Sequence, residues 1–162
     1  MNLVPFDASQ VFIAGRWRTA DSGQTLPLIN PSDGSELTRI ARGNAADIDA
    51  AVRAAQVALE GEGSIAGDRA GAWGRLTATE RGRILLKMSA LVLEQADELA
   101  RLEALDVGKP LKQGRADAVA LARYLEFYGG AADKVHGDTI PFANGYTALT
   151  LREPHGVTAH IV

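Results

Sequence analysis

The sequence contains no cysteine. That removes disulfides, thiolate metal ligation and a cysteine nucleophile from the chemistry these 162 residues can perform. What remains is histidine, carboxylates and glycine-rich stretches. His136, His155 and His160 lack the paired spacing of a zinc site and read as turn or half-buried histidines. Gly61 to Gly67, GEGSIAG, comes close to a dinucleotide fingerprint, but its spacing is off by one residue. It also follows a helical pattern, whereas a phosphate-cradling turn must join a strand to a helix N-terminus. It reads as a loop. Asp106 to Pro110, DVGKP, has Gly-Lys without the upstream glycine and following Ser or Thr of a P-loop. A helix C-terminus explains it better, with Lys109 favourable at the negative end of the dipole. The pairs Asp97/Glu98 and Glu103/Asp106 fit a solvated helix face. Ser, His and Asp are all present, but no nucleophile-elbow motif is found. Spacing alone therefore selects no catalytic site.

The elements that would position any site come in three blocks. Val11 to Arg42 is strand-like, with Ala14-Gly15 as a tight turn and Asp21–Gln24 and Asn30–Glu36 as turn chemistry. Two or three short meandering strands are expected there. At Asn44 the period changes to helical, with Asn44 as N-cap, Asp47 in the first turn, and Ile48, Val52, Ala55 and Leu59 on one face. A second helix starts at Thr77, whose spacing to Glu80 is that of a capping box. Its stripe is Ile84, Met88, Leu91, Val92 and Leu99. Asp97 is expected to cap a further helix running to Asp106 and stopped by Gly108 and Pro110. A last helix is predicted over Lys112 to Val135, with Val119, Ala120, Tyr124, Phe127 and Tyr128 near its packed faces. Strand signals then return. Asn144-Gly145 suggests a two-residue hairpin, followed by strands over Tyr146–Glu153 and Val157–Val162. Strands, helices, strands make an α+β-like layout.

Composition is that of a globular chain, 46% hydrophobic and 23% charged. A net charge of −3 gives no support to nucleic-acid binding. The N-terminus lacks the basic region and apolar core of a signal peptide, and no apolar run approaches the roughly 20 residues of a membrane span. A cytoplasmic protein with neither a membrane nor a nucleic-acid partner is expected.

Six stretches together resemble the N-terminal part of the aldehyde dehydrogenase superfamily. They are FIAGRW, INPSDG, ATERGRILLKMSALV, LEALDVGKP, FYGGAADKVHGDTIP and LREPHGV, in family order, and they cover almost all of Phe12 to Val162. The glycine-rich loop Gly61 to Gly71 departs from the pattern by being a few residues longer. The resemblance implies an α/β fold built in three parts. Residues 1–136 would be N-terminal strands and helices flanking a cofactor domain. Residues 137–156 would be oligomerisation-type strands, and 157–162 the start of a Rossmann-like cofactor domain. It implies NAD(P)+-dependent oxidation of an aldehyde to a carboxylic acid through a cysteine thiohemiacetal, in a homo-oligomer, dimer or tetramer.

The family's catalytic cysteine, general-base glutamate and nicotinamide site lie beyond the segment like GVTAHIV. The resemblance therefore assigns no catalytic residue here and predicts a truncated product, a fragment or one piece of a split enzyme, inactive alone. A non-catalytic assembly module derived from the same scaffold is the alternative. It further implies that Val119 and Ala120 border the substrate entrance, with the small Ala120 leaving room for bulky aldehydes. Ile161 and Val162 would approach NAD or NADP. Leu28 and Ile29, through backbone carbonyls, and Asp106 would hold Na+ or K+, hard cations that take oxygen ligands.

Overall fold

The computed structural model describes residues 6–63 and 69–161. Val162 and most of the glycine-rich loop lie outside these described residues. The N-terminal part is two antiparallel hairpins, four strands rather than the expected two or three. Strand β1 (Gln10–Ile13) pairs with β2 (Arg16–Thr19). Ala14 and Gly15 join them with φ of 54° and 75°, the two left-handed residues that a type I′ turn demands. Phe6 stacks on Trp17 at 4.7 Å, and Phe12, directly across the ladder, meets the same indole at 5.0 Å.

Strand β3 (Thr25–Ile29) pairs with β4 (Glu36–Ala41). The register shifts between Leu28, opposite Thr38, and Ile29, opposite Glu36, so Leu37 is bulged out of the ladder.

Helix α1 (Ala45–Glu60) begins as expected at Asn44, with both halves of a capping box formed. Its buried side differs from the expected one. Ile48 is 62% exposed and Val52 is exposed too. Asp47 is 3% exposed and faces inward. Its carboxylate accepts the N–H groups of Asn44 and Asp21, each at 3.1 Å, and the Arg18 guanidinium at 3.4 Å. Three donors make four hydrogen bonds to the buried charge, so α1 is oriented by this polar knot between the end of β2 and its own first turn.

Helices α2 (Ala78–Glu94), α3 (Ala96–Val107) and α4 (Leu111–Ala131) pack around a seam of small residues. Among the described residues the buried hydrophobics are all alanines: Ala20, Ala96, Ala100, Ala118 and Ala122. A Cβ on Gly82 would lie 2.4 Å from the Gly129 carbonyl oxygen, and one on Gly114 would lie 3.1 Å from that of Ala100. Ser89 donates its buried hydroxyl to the Ala122 carbonyl at 2.8 Å. Backbones therefore nearly touch, and the large apolar side chains splay outward. Ile84, Met88 and Leu91 of α2, and Tyr124, Phe127 and Tyr128 of α4, are all exposed, which corrects the expectation that they face the packed interior. On α4 that role falls to Gly114, Ala118, Ala122 and Gly129.

Two boundaries are also corrected. Gln95, not Asp97, separates α2 from α3, and it makes no side-chain cap. Asp97 sits in the first turn of α3 and pairs with Arg115 of α4 at 2.7 Å instead. Helix α4 ends at Ala131 rather than Val135, just after the pair Gly129-Gly130.

The C-terminal part forms one short antiparallel pair, β5 (Thr139–Ile140) with β6 (Ala148–Leu149). Asn144-Gly145 is not a two-residue hairpin loop. It forms the centre of a turn within the longer connection 141–147, closed by the Tyr146 N–H on the Ala143 carbonyl, with Gly145 at φ 86°. Of the expected strands Tyr146–Glu153 and Val157–Val162, the described residues form only Ala148–Leu149, and Val162 lies outside them. Residues 150–161 are exposed and carry no regular structure, with no partner strand beside them among the described residues. No helix of the described residues is long and apolar enough to cross a membrane.

Candidate functional site

The α3–α4 turn gathers the carboxylates. Gly108 ends α3 in the left-handed conformation, φ 71°, and its N–H bonds the Ala104 carbonyl at 3.1 Å. Glycine is needed there twice over. Its φ disfavours a side chain, and a Cβ would meet Pro31 Cγ at 3.1 Å. The end of α3 thus rests against the turn that follows Leu28 and Ile29. Next to it opens a groove of ≈ 290 Å³ between α3 and α4, lined by Leu99, Leu102, Glu103, Asp106, Asp117 and Leu121 among others.

Lys109 reaches across this turn. Its ammonium lies 2.6 Å from Glu103 of α3 and 2.7 Å from Asp117 of α4. Asp117 foremost, then Glu103, hold its pKa above the ordinary lysine value. Asp106 is exposed and has no hydrogen-bond or ion-pair partner among the described residues. Of the three carboxylates in the groove, two are therefore engaged by one lysine and the third is free. The sequence reading placed Lys109 at the helix end but missed its double bridge, since Asp117 lies a full helix start away. Its only sequence signal was acidic residues on both sides of Gly108-Lys109.

Leu28, Ile29 and Asp106, the residues implied as cation ligands, would offer oxygen donors only, two backbone carbonyls and one carboxylate, a set that suits a hard cation. Leu28 and Ile29 flank the bulge of the β3–β4 ladder, opposite Thr38 and Glu36. Asp106 offers an unengaged carboxylate on the helix end that touches the following turn. Among the described residues no group of three or more His, Cys, Asp or Glu could hold a metal by side chains alone.

The other implied positions are spread out. Val119 is half-buried and Ala120 exposed on α4, close in sequence to the exposed aromatics Tyr124, Phe127 and Tyr128. Phe127 and Tyr128 meet edge to face at 5.2 Å. Ile161 is 99% exposed at the far end of the irregular segment, and Val162 lies outside the described residues. His160 Nε2 lies 3.3 Å from the Thr158 hydroxyl, and His136 Nδ1 lies 3.2 Å from the Gly137 carbonyl oxygen.

Comparison with known proteins gives a consistent picture. Residues 17–162 match the family described as the aldehyde dehydrogenase family. The chain is similar to hydroxyisobutyraldehyde dehydrogenase of Mycolicibacterium austroafricanum, 42% identical over 94% of this chain and 28% of the relative. It is also similar to mitochondrial aldehyde dehydrogenase family 2 member B4 of Arabidopsis thaliana, 39% identical over 95% of this chain and 27% of the relative. Among solved structures, PnpE in complex with nicotinamide adenine dinucleotide superposes with a TM-score of 0.80 at 39% identity, covering 91% of this chain and 28% of that one. PnpE from Pseudomonas sp. WBC-3 gives 0.78 at 40% identity, covering 90% and 28%. The chain thus spans little more than a quarter of the length of the relatives it matches.

Proposed function

The chain belongs to the aldehyde dehydrogenase family, and from that premise we propose that it works as the N-terminal section of an NAD(P)+-dependent enzyme oxidising an aldehyde to a carboxylic acid. The observation that carries this reading is the match of residues 17–162 to the family, together with superposition on an NAD-bound relative at 39% identity. The bound dinucleotide would supply the hydride acceptor. The family's nucleophile would be a cysteine, and this sequence has none.

The part played by these residues is therefore to build walls, not to react. Residues 1–136 would flank the cofactor domain, with 137–156 serving subunit association in a cytoplasmic homo-oligomer. Residues 157–162 would enter the cofactor domain's sheet. Val119 and Ala120 would border the aldehyde entrance, where exposed α4 aromatics already present an apolar surface. Ile161 and Val162 would lie toward the dinucleotide as apolar contacts only, since neither offers a charge or side-chain hydrogen bond to a phosphate. Leu28, Ile29 and Asp106 would hold a monovalent cation, Na+ or K+, that braces the hairpin against α3.

The purified chain should form no NAD(P)H from any aldehyde. Turnover by the pure 162-residue chain would overturn the assignment of all reacting groups elsewhere.

A further inference from the structure

Lys109 stands where the α3–α4 turn meets the β3–β4 turn, and its position suggests more than a surface ion pair. Exposed single pairs contribute little because solvent screens them and two side chains must be ordered. Lys109 differs in two ways. One ammonium satisfies two carboxylates on different helices, at 2.6 Å and 2.7 Å. And its side chain is only 27% exposed, so the bridge is partly shielded. It spans the one link, Gly108 to Pro110, that connects α3 to α4.

Asp106 lies within the span that Lys109 closes, between Glu103 and Gly108. Its helix end is fixed on one side by the Gly108–Pro31 contact. On the other side the Lys109 bridge ties the turn to α4, at the end of the α3–α4 seam that also holds the Asp97–Arg115 pair and the close Gly114–Ala100 approach. We propose that Lys109 is a positioning residue for the cation site of Leu28, Ile29 and Asp106. By engaging Glu103 and Asp117 it fixes the last turn of α3 and leaves Asp106 as the single free carboxylate of the groove. A site with one carboxylate and neutral carbonyls suits a monovalent cation, since ligand charge count and rigidity tune hard-cation binding. Outer residues that hold a ligand in place commonly matter for affinity almost as much as the ligand itself. The inference rests on the cation reading given above.

The test compares potassium chloride with tetramethylammonium chloride, whose cation is too bulky for a carbonyl-lined site. Urea unfolding of a chimera, followed by circular dichroism, would be read in both salts for the wild-type segment, Lys109→Arg, Lys109→Met and Asp106→Asn. The chimera is used because the isolated chain exposes too much apolar surface to give a sharp transition. In the chimera, residues 17–162 replace the matching part of the Mycolicibacterium relative. A merely structural lysine would lower the midpoint equally in both salts. A positioning lysine changes the difference between them.

The expected result is a potassium-specific increment in the wild type that is lost in Asp106→Asn. In Lys109→Met the half-saturating potassium concentration should rise on the order of tenfold, the low end of outer-residue effects, and Lys109→Arg should restore most of the affinity. An unchanged potassium dependence in Lys109→Met, with the wild-type increment present, would overturn the role of Lys109 alone. No increment in the wild-type chimera would overturn the cation reading and this inference with it.

Discussion

Gly82 of α2 and Gly129 of α4 touch backbone to backbone: a Cβ on Gly82 would stand 2.4 Å from the Gly129 carbonyl oxygen, and one on Gly129 would stand 2.9 Å from that of Gly82. Neither obstacle is a flexible side-chain end, so neither can swing away. Gly82→Ala should destabilise the helical unit by about 1–3 kcal/mol through forced separation of α2 and α4. Helix propensity alone predicts the opposite sign, since alanine is the better helix former. Urea midpoints of the variant in the chimera measure it directly, and a stabilised Gly82→Ala would show that the helices do not cross this closely.

Asp47 makes a second, independent prediction. Asp47→Ala leaves the N–H groups of Asp21 and Asn44 without their acceptor in a partly buried setting. Each orphaned group costs about 1–3 kcal/mol, and Arg18 loses its partner as well. The first hairpin should detach from α1 before the α2–α4 unit melts. Amide hydrogen exchange would record this as selective loss of protection at Asp21 and Asn44.

The capping box of α2 gives a pH dependence. The Thr77 N–H and hydroxyl both donate to Glu80 and hold its pKa below the ordinary glutamate value. The folded pKa is depressed, so this contribution is complete above the unfolded glutamate pKa and is lost as pH falls through the lowered one. NMR titration of the Glu80 carboxyl should show the low pKa, and Glu80→Gln should flatten the acid-side fraying of the Ala78–Arg81 turn.

These particulars also show what the sequence could and could not disclose. Most caps and turns were legible because their chemistry is local: Asn44 with Asp47, Thr77 with Glu80, Ala14-Gly15 and Gly108 all lie where their residue types predict, whereas the Asp97 cap and the Asn144-Gly145 hairpin loop do not form. Faces were not legible. Helical periodicity marks where large apolar side chains cluster, but here the contact surfaces of α2 and α4 are glycine, alanine and serine, which carry almost no hydropathy signal. The outward Ile84, Met88, Tyr124 and Phe127 then look like a core that these residues do not form. The C-terminal strands failed for a related reason. Residues 146–153 and 157–161 alternate as strands do, yet a strand is defined by its neighbour, and only Ala148–Leu149 has one. Of the site, the spacing showed nothing, and the positions came from family resemblance. The bridge of Lys109 to Asp117 needed the folded turn.

The exposed apolar surface predicts how the chain behaves alone. Phe142, Tyr146, Leu151 and Ile161 are at least 71% exposed, and each large side chain left in water forgoes about 1.5–3 kcal/mol of burial. Against a net stability of about 5–15 kcal/mol such losses decide the outcome. Residues 1–162 by themselves should give helical circular dichroism, a broad or absent thermal transition and aggregation at high concentration. A sharp, reversible melt of a monomer would instead favour an independent assembly module.

The most direct measurement is activity of the chimera, in which residues 17–162 replace the matching segment of the 42%-identical Mycolicibacterium hydroxyisobutyraldehyde dehydrogenase. If these residues are the walls of an aldehyde dehydrogenase, the chimera should fold, assemble and reduce NAD(P)+ with hydroxyisobutyraldehyde, with changes in KM larger than those in kcat. A well-folded chimera with its own cysteine intact and no NAD(P)H formation would contradict the account.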